Sequence, residues 1–250
     1  MGERTSHAPG TFSWAELATS DSDAAKAFYT ELFGWTYDDR PIPDDGVYSM
    51  ALKDGKVAAA LFSSAGQPPH WNCYVTVASA QDAAKLAEKN GATVVAEAFD
   101  VMDAGRMAVV TDPTGAMLSL WEPGTSIGAE VVNAPGSMTW NDLITADAEQ
   151  AAAFYEQLFG WTTEAVPDAG GYRIIKNGDR SNGGIMPRND SHPSWLPYFG
   201  HEDVARLHAT IGELGGQAFT DVMPMPQGSV AVFADPQGAA FACWTGDYDD

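Results

Sequence analysis

The chain has 250 residues, which is enough for one large domain or for two small ones. Hydrophobic residues make up 45% of it, so a substantial core can form and disorder is not expected. The formal net charge of −21 repels nucleic-acid phosphates and anionic lipid, which argues against nucleic acids and membrane surfaces as partners.

The predicted elements of the first half follow one pattern twice. An apolar run at 12–18 precedes acidic residues at 21–23 and an amphipathic helical segment that stops at Gly34. Alternating strands are expected near 36–40, 47–53 and 57–62. The pattern then restarts, with a strand at 71–77, a helix at 80–89 and strands near 93–99, 106–111 and 117–121. These are two βαβββ units, which indicates an α+β architecture with helices packed on curved sheets.

An internal repeat predicts that the second half is built in the same way. PGTFSWAELATSDSDAAKAFYTELFGW at residues 9–35 matches PGSMTWNDLITADAEQAAAFYEQLFGW at residues 135–161 without a gap. DPTGAMLSLW, starting at Asp112, matches DPQGAAFACW, starting at Asp235. We therefore predict four βαβββ units in two tandem domains, at 8–123 and 135–247, joined by a linker at 124–134.

The remaining bulk features predict a cytoplasmic protein. Two cysteines, Cys73 and Cys243, are too few for a disulfide framework. Residues 1–10 lack the apolar stretch of a secretory signal, and no segment approaches the roughly 20 apolar residues of a membrane span.

Two motifs, each present twice, carry a resemblance to a known family. The first is D-x-x-x-A-x-x-F-Y-x-x-L-F-G-W at 21–35 and 147–161, and the second is D-P-x-G at 112–115 and 235–238. In this order they resemble the vicinal oxygen chelate superfamily of glyoxalase I, bleomycin-resistance proteins and extradiol dioxygenases, and above all its actinobacterial two-domain members. The resemblance implies a half-open barrel in each domain, with the ligand inside and four inward side chains that hold a divalent metal ion.

The resemblance also locates those four metal-ligand positions. The first lies seven residues before the aspartate that starts the helix, at Trp14 and at Trp140. The others fall at Asn72, Ser119 and 58–60 in the first domain, and near Leu196, Ala242 and 183–184 in the second. No position holds a histidine or a carboxylate, whereas divalent ions need imidazole or oxygen ligands. The sequence thus predicts neither a metal ion nor another cofactor.

A carboxylate follows each of these tryptophans by two residues. Strand alternation places Glu16 on the face of Trp14 and Asp142 on the face of Trp140. Inside an apolar cavity such a carboxyl group has a raised pKa and can act as a general acid or base. The alternative is a structural carboxylate that binds loop backbone at the seam between the domains.

The same alternation predicts the side chains that contact a ligand. Aromatic rings with a few polar atoms suit a flat aromatic small molecule. Besides Trp14 and Trp140, the predicted contacts are Asn72, Tyr74, Met117, Ser119 and Trp121 in the first domain and Tyr198 and Trp244 in the second.

Several other residues are assigned to the structure rather than to the site. Trp35 and Trp161 directly follow helix-stop glycines and are expected in the core. Cys73 and Cys243 have the parity opposite to the cavity and should face the helices. His70 and His192 could stand at cavity mouths, but we interpret them as loop residues.

Three functions remain open at this point. The first is a metal-independent protein that binds a hydrophobic aromatic molecule, such as a secondary metabolite or antibiotic, and could transform it through Glu16 and Asp142 as a lyase, an isomerase or an oxygenase-type enzyme. The second is a resistance protein that sequesters a toxic compound without chemistry. The third is a glyoxalase-type lyase with atypical metal ligands such as Glu16, His70 or Glu122. A monomer is expected, with a dimer as the alternative, because the tandem copies supply both halves of a pseudo-dimer.

Overall fold

The computed structural model describes residues 2–42 and 46–248. Within them, one eight-stranded sheet and one nine-stranded sheet follow each other along the chain. The first sheet ends at Pro123 and the second begins at Met138. The chain is therefore an α+β protein with two tandem domains.

The first domain contains two βαβββ units. Its elements are β1 (Phe12–Thr19), α1 (Ser22–Phe33), β2 (Thr36–Ile42), β3 (Gly46–Lys53), β4 (Lys56–Ser63), β5 (His70–Thr76), α2 (Ala80–Lys89), β6 (Thr93–Val101), β7 (Gly105–Thr111) and β8 (Met117–Pro123). The strand order is β2-β3-β4-β1-β5-β8-β7-β6. The leading strands of the two units, β1 and β5, pair antiparallel at the centre, and the sheet stays open between its edges β2 and β6.

The second domain repeats this topology with one difference. Its elements are β9 (Met138–Thr145), α3 (Ala148–Phe159), β10 (Thr162–Ala165), β11 (Arg173–Asn177), β12 (Arg180–Pro187), β13 (Ser194–Gly200), α4 (Val204–Thr210), β14 (Gln217–Ala218), β15 (Met223–Met225), β16 (Gly228–Ala234) and β17 (Ala240–Gly246). The second strand of the last unit is divided into β14 and β15, which both pair with β16. Between them the Thr220 hydroxyl accepts the backbone N–H of Val232, which replaces a ladder bond.

Local sequence signals explain the two long helices. The carboxylate of Asp21 caps α1 by accepting the N–H of Ala24 at 3.0 Å, and Asp147 caps α3 in the same way. Each helix ends at a glycine in the left-handed region, Gly34 with φ 70° and Gly160 with φ 72°. The predicted ends of the strands and helices in the first domain agree with the structure to within about two residues. Among the described helices, none has the length and apolarity to cross a membrane.

The main hydrophobic core lies between the two sheets, where α1 and α3 are packed. Aromatic rings meet across this seam: the centroids of Phe33 and Phe199 are 5.3 Å apart, and those of Phe12 and Trp195 are 4.8 Å apart. The expectation that Trp35 and Trp161 are core residues is confirmed, since both are 1% exposed. Each also donates its indole N–H across the seam, to the carbonyls of Gly136 at 2.7 Å and Gly10 at 2.8 Å.

A reciprocal pair of hydrogen bonds connects the domains at the centre of this core. Tyr29 of α1 donates to Asp235 at 3.1 Å, and Tyr155 of α3 donates to Asp112 at 2.8 Å. Both tyrosines are almost completely buried. The two sequence motifs therefore bind to each other across the domains, the helix motif of one half to the D-P-x-G turn of the other.

The stretch between the two sheets is fixed to the first domain. Ala129 donates its backbone N–H to Ser13 at 2.8 Å, and Glu130 donates to Val57 at 2.7 Å. The Glu130 carboxylate in turn accepts the Val57 N–H at 3.0 Å. This region therefore packs as part of the first domain.

Replacing Tyr155 with phenylalanine should destabilise the whole chain. The change leaves one oxygen of the buried Asp112 carboxylate without its donor, which costs about 1–3 kcal/mol. Chemical denaturation measures the loss. Tyr37→Phe is the control, because the Tyr37 hydroxyl donates a longer bond of 3.3 Å within the first domain. Equal losses in the two variants would contradict the role of the seam.

Candidate functional site

The carboxylate of Glu16 lies on the face of β1 that points away from the seam. Its Oε2 accepts the phenol of Tyr48 at 2.7 Å, and its Oε1 accepts the phenol of Tyr74, also at 2.7 Å. The amide of Asn72 approaches Oε1 at 3.5 Å. Strands β3 and β5 therefore clamp Glu16 from both sides.

Asp142 on β9 has the equivalent surroundings. Its Oδ1 accepts the phenol of Tyr172 at 2.7 Å and the indole N–H of Trp140 at 2.9 Å. Its Oδ2 accepts the phenol of Tyr198 at 2.5 Å. The described partners of both carboxylates are side chains, so binding to loop backbone at the seam, the structural alternative, does not describe either of them.

Tyr48 and Tyr172 are site residues that sequence reasoning missed. Each joins the tryptophan to the carboxylate of its domain: Trp14 donates to the Tyr48 oxygen at 3.3 Å, and Trp140 donates to the Tyr172 oxygen at 3.0 Å. A signal for them exists, since G-V-Y at 46–48 and G-G-Y at 170–172 recur with the spacing of the repeat. The signal is short and lies outside the two strong motifs.

Burial determines the electrostatics of both carboxyl groups. Loss of hydration raises the pKa of Glu16 and of Asp142, and the hydrogen bonds from their phenol partners oppose this rise. The two groups differ in access: Asp142 is only 1% exposed, whereas Glu16 keeps part of its surface open. Both can hold a proton at a higher pH than an ordinary carboxyl, and Glu16 is the less buried of the two residues.

The other residues predicted for the first cavity lie around this centre, with one exception. Tyr74 is the register partner of Trp14 on one side and of Ser119 on the other. The Trp121 ring meets Tyr74 edge-on at 6.5 Å. Met117 shares their parity but stands at the end of β8 with 39% of its surface exposed.

The face of the second domain is more apolar. Leu196, Tyr198, Val230 and Ala242 form a buried cluster separate from the main core, and Trp140 and Trp244 pack against it. The predicted residues of this domain thus come together. Trp140 and Tyr198 donate to the buried Asp142, whereas the Trp244 indole donates to the backbone carbonyl of Asp247.

The residues at the four metal-ligand positions do not fit a divalent ion. In the first domain they are Trp14, Asn72, Ser119 and Ala60, the last of which pairs with Glu16. In the second they are Trp140, Leu196, Ala242 and Gly184, the last of which pairs with Asp142. Indole and methyl groups are not ligands for such ions. Over residues 2–42 and 46–248, three or more His, Cys, Asp or Glu side chains nowhere gather in a metal-binding group.

The cysteines and histidines are placed clearly. Burial raises the pKa of the thiols of Cys73 and Cys243, which face the seam as expected. His192 is an exposed loop residue. The interpretation of His70 as a loop residue is wrong, because His70 is the first residue of β5. The Glu122 carboxylate accepts the N–H of Ala80 at the start of α2 and so serves that helix.

Two surface grooves lie along α3, away from both carboxylates. One has a volume of about 320 Å³ and runs between α2 and the end of α3, beside Leu86 and Phe159. The other has about 330 Å³ and lies beside Glu149, Glu156 and Arg173. The concave faces themselves are occupied by their own aromatic side chains, so a ligand there has to displace or stack on those rings.

Each of the two α+β domains is an open sheet built from two βαβββ units, with a hydrogen-bonded carboxylate on one face. Sequence comparison gives the family. The profile of the Glyoxalase/Bleomycin resistance protein/Dioxygenase superfamily matches residues 11–120. A Mycobacterium tuberculosis protein named as a glyoxylase, CFP32, is 41% identical, with 97% of each chain covered. The chain belongs to this superfamily.

Other relatives and structures extend this result. The anthracycline biosynthesis protein DnrV of Streptomyces peucetius is 31% identical, with 95% of this chain and 94% of that protein covered. Among solved structures, the Mn(II)-bound glyoxalase of Novosphingobium aromaticivorans superposes with a TM-score of 0.69 at 13% identity, covering 100% of this chain and 86% of that one. At this identity the likeness concerns the fold alone.

The pH dependence of stability should report the buried Asp142. Its pKa lies above the ordinary 3.8, so the folded protein keeps the proton to a higher pH than the unfolded chain. The contribution of this carboxyl to stability is therefore greatest below 3.8 and is lost as the pH rises through the folded-state pKa. We expect the stability of Asp142→Asn, relative to wild type, to improve with rising pH in that window, as measured by urea denaturation.

A matched control separates this effect from the general charge of the protein. Glu164→Gln removes an exposed carboxylate of the same domain and should leave the pH dependence unchanged. Parallel pH profiles for wild type and Asp142→Asn would contradict the raised pKa.

Proposed function

We propose that the concave face of the first domain, around Glu16, binds a hydrophobic aromatic small molecule without a metal ion. The observation that carries this proposal is the Glu16 carboxylate, which Tyr48 and Tyr74 hold on a residue that is only partly buried, where the family's metal centre would otherwise lie. A fixed acceptor among aromatic rings suits a flat ligand that stacks on the rings and gives a hydrogen bond to Glu16.

The same group can supply acid–base chemistry. A carboxyl whose pKa is raised by burial keeps its proton to a higher pH than an ordinary glutamate and can act as a general acid or base. Tyr48 and Tyr74 fix both oxygens, so the carboxylate needs little rearrangement during a proton transfer. We therefore propose Glu16 as the acid or base in a metal-independent lyase or isomerase reaction.

The differences between the halves favour the first domain as the working site. The second domain has Leu196 where the first has Asn72, and Ala242 where the first has Ser119. Its carboxylate, Asp142, is sealed at 1% exposure. We propose that Asp142 stabilises its half of the molecule instead of contacting a ligand.

The names of the relatives support an aromatic ligand. Two relatives are named as anthracycline biosynthesis proteins. Anthracyclines are polycyclic aromatic compounds, and a ligand of that shape suits the rings of Trp14, Tyr48 and Tyr74. Others are named as glyoxylases, and that activity would need a metal-ligand set that these positions do not offer.

Sequestration of a toxic compound is the second candidate. Three side chains donate to Glu16 and fix its carboxylate in place, which suits a group that binds a ligand without reacting with it. Mass spectrometry of the ligand recovered after incubation distinguishes the two functions: an unchanged mass indicates sequestration, whereas a changed mass that requires Glu16 indicates catalysis.

Metal removal should leave the protein unaffected. Because indole, amide, hydroxyl and methyl groups occupy the four positions, the purified chain should contain well under one equivalent of zinc, nickel, manganese or iron. Treatment with EDTA should change neither the melting temperature nor ligand binding. Stoichiometric metal in elemental analysis would overturn the proposal.

The two carboxylates give a matched pair of variants. For 2-naphthol as an aromatic probe, Glu16→Gln should raise the Kd about tenfold, the equivalent of one lost hydrogen bond to a charged acceptor. Asp142→Asn should change the Kd less than twofold, although it alters stability. Isothermal titration calorimetry measures both. An equal effect of the two variants, or a larger effect of Asp142→Asn, would refute the assignment to the first domain.

A further inference from the structure

His70 stands beside the Glu16 centre, on the same face of the sheet. In the antiparallel ladder of β1 and β5, Trp14 pairs with Tyr74, Glu16 with Asn72 and Ala18 with His70, without a bulge between these pairs. Alternate residues of a strand share a face, so the imidazole projects on the side of Asn72 and Tyr74. The residue opposite it, Ala18, is small and leaves room beside the ring.

A single hydrogen bond selects the tautomer of the His70 ring. Its Nδ1 lies 2.8 Å from the backbone carbonyl of Pro68. A carbonyl oxygen can only accept, so Nδ1 carries a proton, and in the neutral ring the lone pair is on Nε2. His70 is half-buried and therefore presents an oriented acceptor at the border between the concave face and solvent.

Most of the donor hydrogens on the polar groups next to His70 are already used in hydrogen bonds within the site. The hydroxyl protons of Tyr48 and Tyr74 are directed at Glu16, and the indole proton of Trp14 is directed at Tyr48. The groups still available to a ligand are lone pairs of the carboxylate and of the phenol oxygens, and one N–H of Asn72. A molecule that binds here must supply the missing donors.

We propose that His70 is a ligand-contacting residue of the Glu16 site, whose Nε2 accepts a hydrogen bond from a hydroxyl or ammonium group on the bound aromatic molecule. This inference deepens the proposed function and rests on it, because it states which chemical group an aromatic ligand must carry. A ligand with acceptors alone, such as an aryl ether, would meet lone pairs at both Glu16 and His70.

The second domain supports this assignment by contrast. The residue equivalent to His70 is Ser194, at the first position of β13 and exposed to solvent. The Glu16 centre thus has a histidine on its own face of the sheet, whereas the Asp142 centre has a serine at that place.

Two substitutions distinguish the roles of the two nitrogens of the His70 ring. His70→Asn keeps a donor near the Nδ1 position for the Pro68 carbonyl but removes the acceptor at Nε2. His70→Gln places an amide oxygen near Nε2. The probes are 2-naphthol, its methyl ether 2-methoxynaphthalene, and 2-naphthylmethylammonium, and calorimetry measures their Kd values. His192→Asn, on an exposed loop histidine that also contacts a proline carbonyl, is the control.

The expected pattern depends on the donor of the probe. His70→Asn should weaken 2-naphthol or the ammonium probe about fivefold and leave the methyl ether unchanged, and His70→Gln should restore most of the loss. The probe that responds identifies hydroxyl or ammonium as the preferred donor. His192→Asn should have no effect.

Other results would overturn the inference in distinguishable ways. If Glu16→Gln weakens 2-naphthol but His70→Asn does not, the proposed function stands and the role of His70 falls. If His70→Asn weakens all three probes equally, His70 acts through packing and the hydrogen bond is refuted. If none of the probes binds to the wild-type protein, the proposed function falls together with this inference.

Discussion

Two buried hydrogen bonds between a tyrosine and an aspartate hold the whole molecule in one arrangement. Tyr29 reaches Asp235 and Tyr155 reaches Asp112, so each domain completes a turn in the other. A carboxylate this deep in an aromatic core is tolerated only with its donors in place. Each domain alone would leave buried polar groups at the seam without hydrogen-bond partners, which explains why the two sheets pack as one unit.

The seam and the candidate site share the same central strands. Along β5, Trp71 and Cys73 face the seam, whereas Asn72 and Tyr74 face outward to Glu16. Rigid packing on one side therefore fixes the strand that carries the site on the other. The position of the carboxylate, and with it the geometry of any proton transfer, is a consequence of how well the aromatic residues of the seam are packed.

The sequence was sufficient for the fold and for half of the site. Repetition and strand parity predict the two domains, the faces of Glu16 and Asp142, and the inward direction of Cys73. They do not reveal Tyr48 and Tyr172, because Tyr48 reaches Glu16 from β3, two strands away, and Tyr172 lies just before β11. Neither phenol follows the alternation of the strand that carries the carboxylate. His70 was misassigned for a related reason, since a residue at the end of a strand looks like loop until its pairing with Ala18 is known. The sequence also does not predict which of the two carboxylate residues is exposed, because the burial of Asp142 depends on how the rings around it pack.

Gly184 shows how far the two halves have become separate. A methyl group at this position would overlap the Tyr172 hydroxyl and Asp142, whereas its counterpart Ala60 coexists with the longer Glu16. Substituting alanine for Gly184 alone therefore breaks the contacts of Asp142. The two repeats therefore surround their carboxylates with different residues. Exchanging one such residue between the repeats disrupts the hydrogen bonds of the carboxylate. This obstacle to exchange allows one half to keep its ligand-binding residues while the other half serves the packing of the molecule.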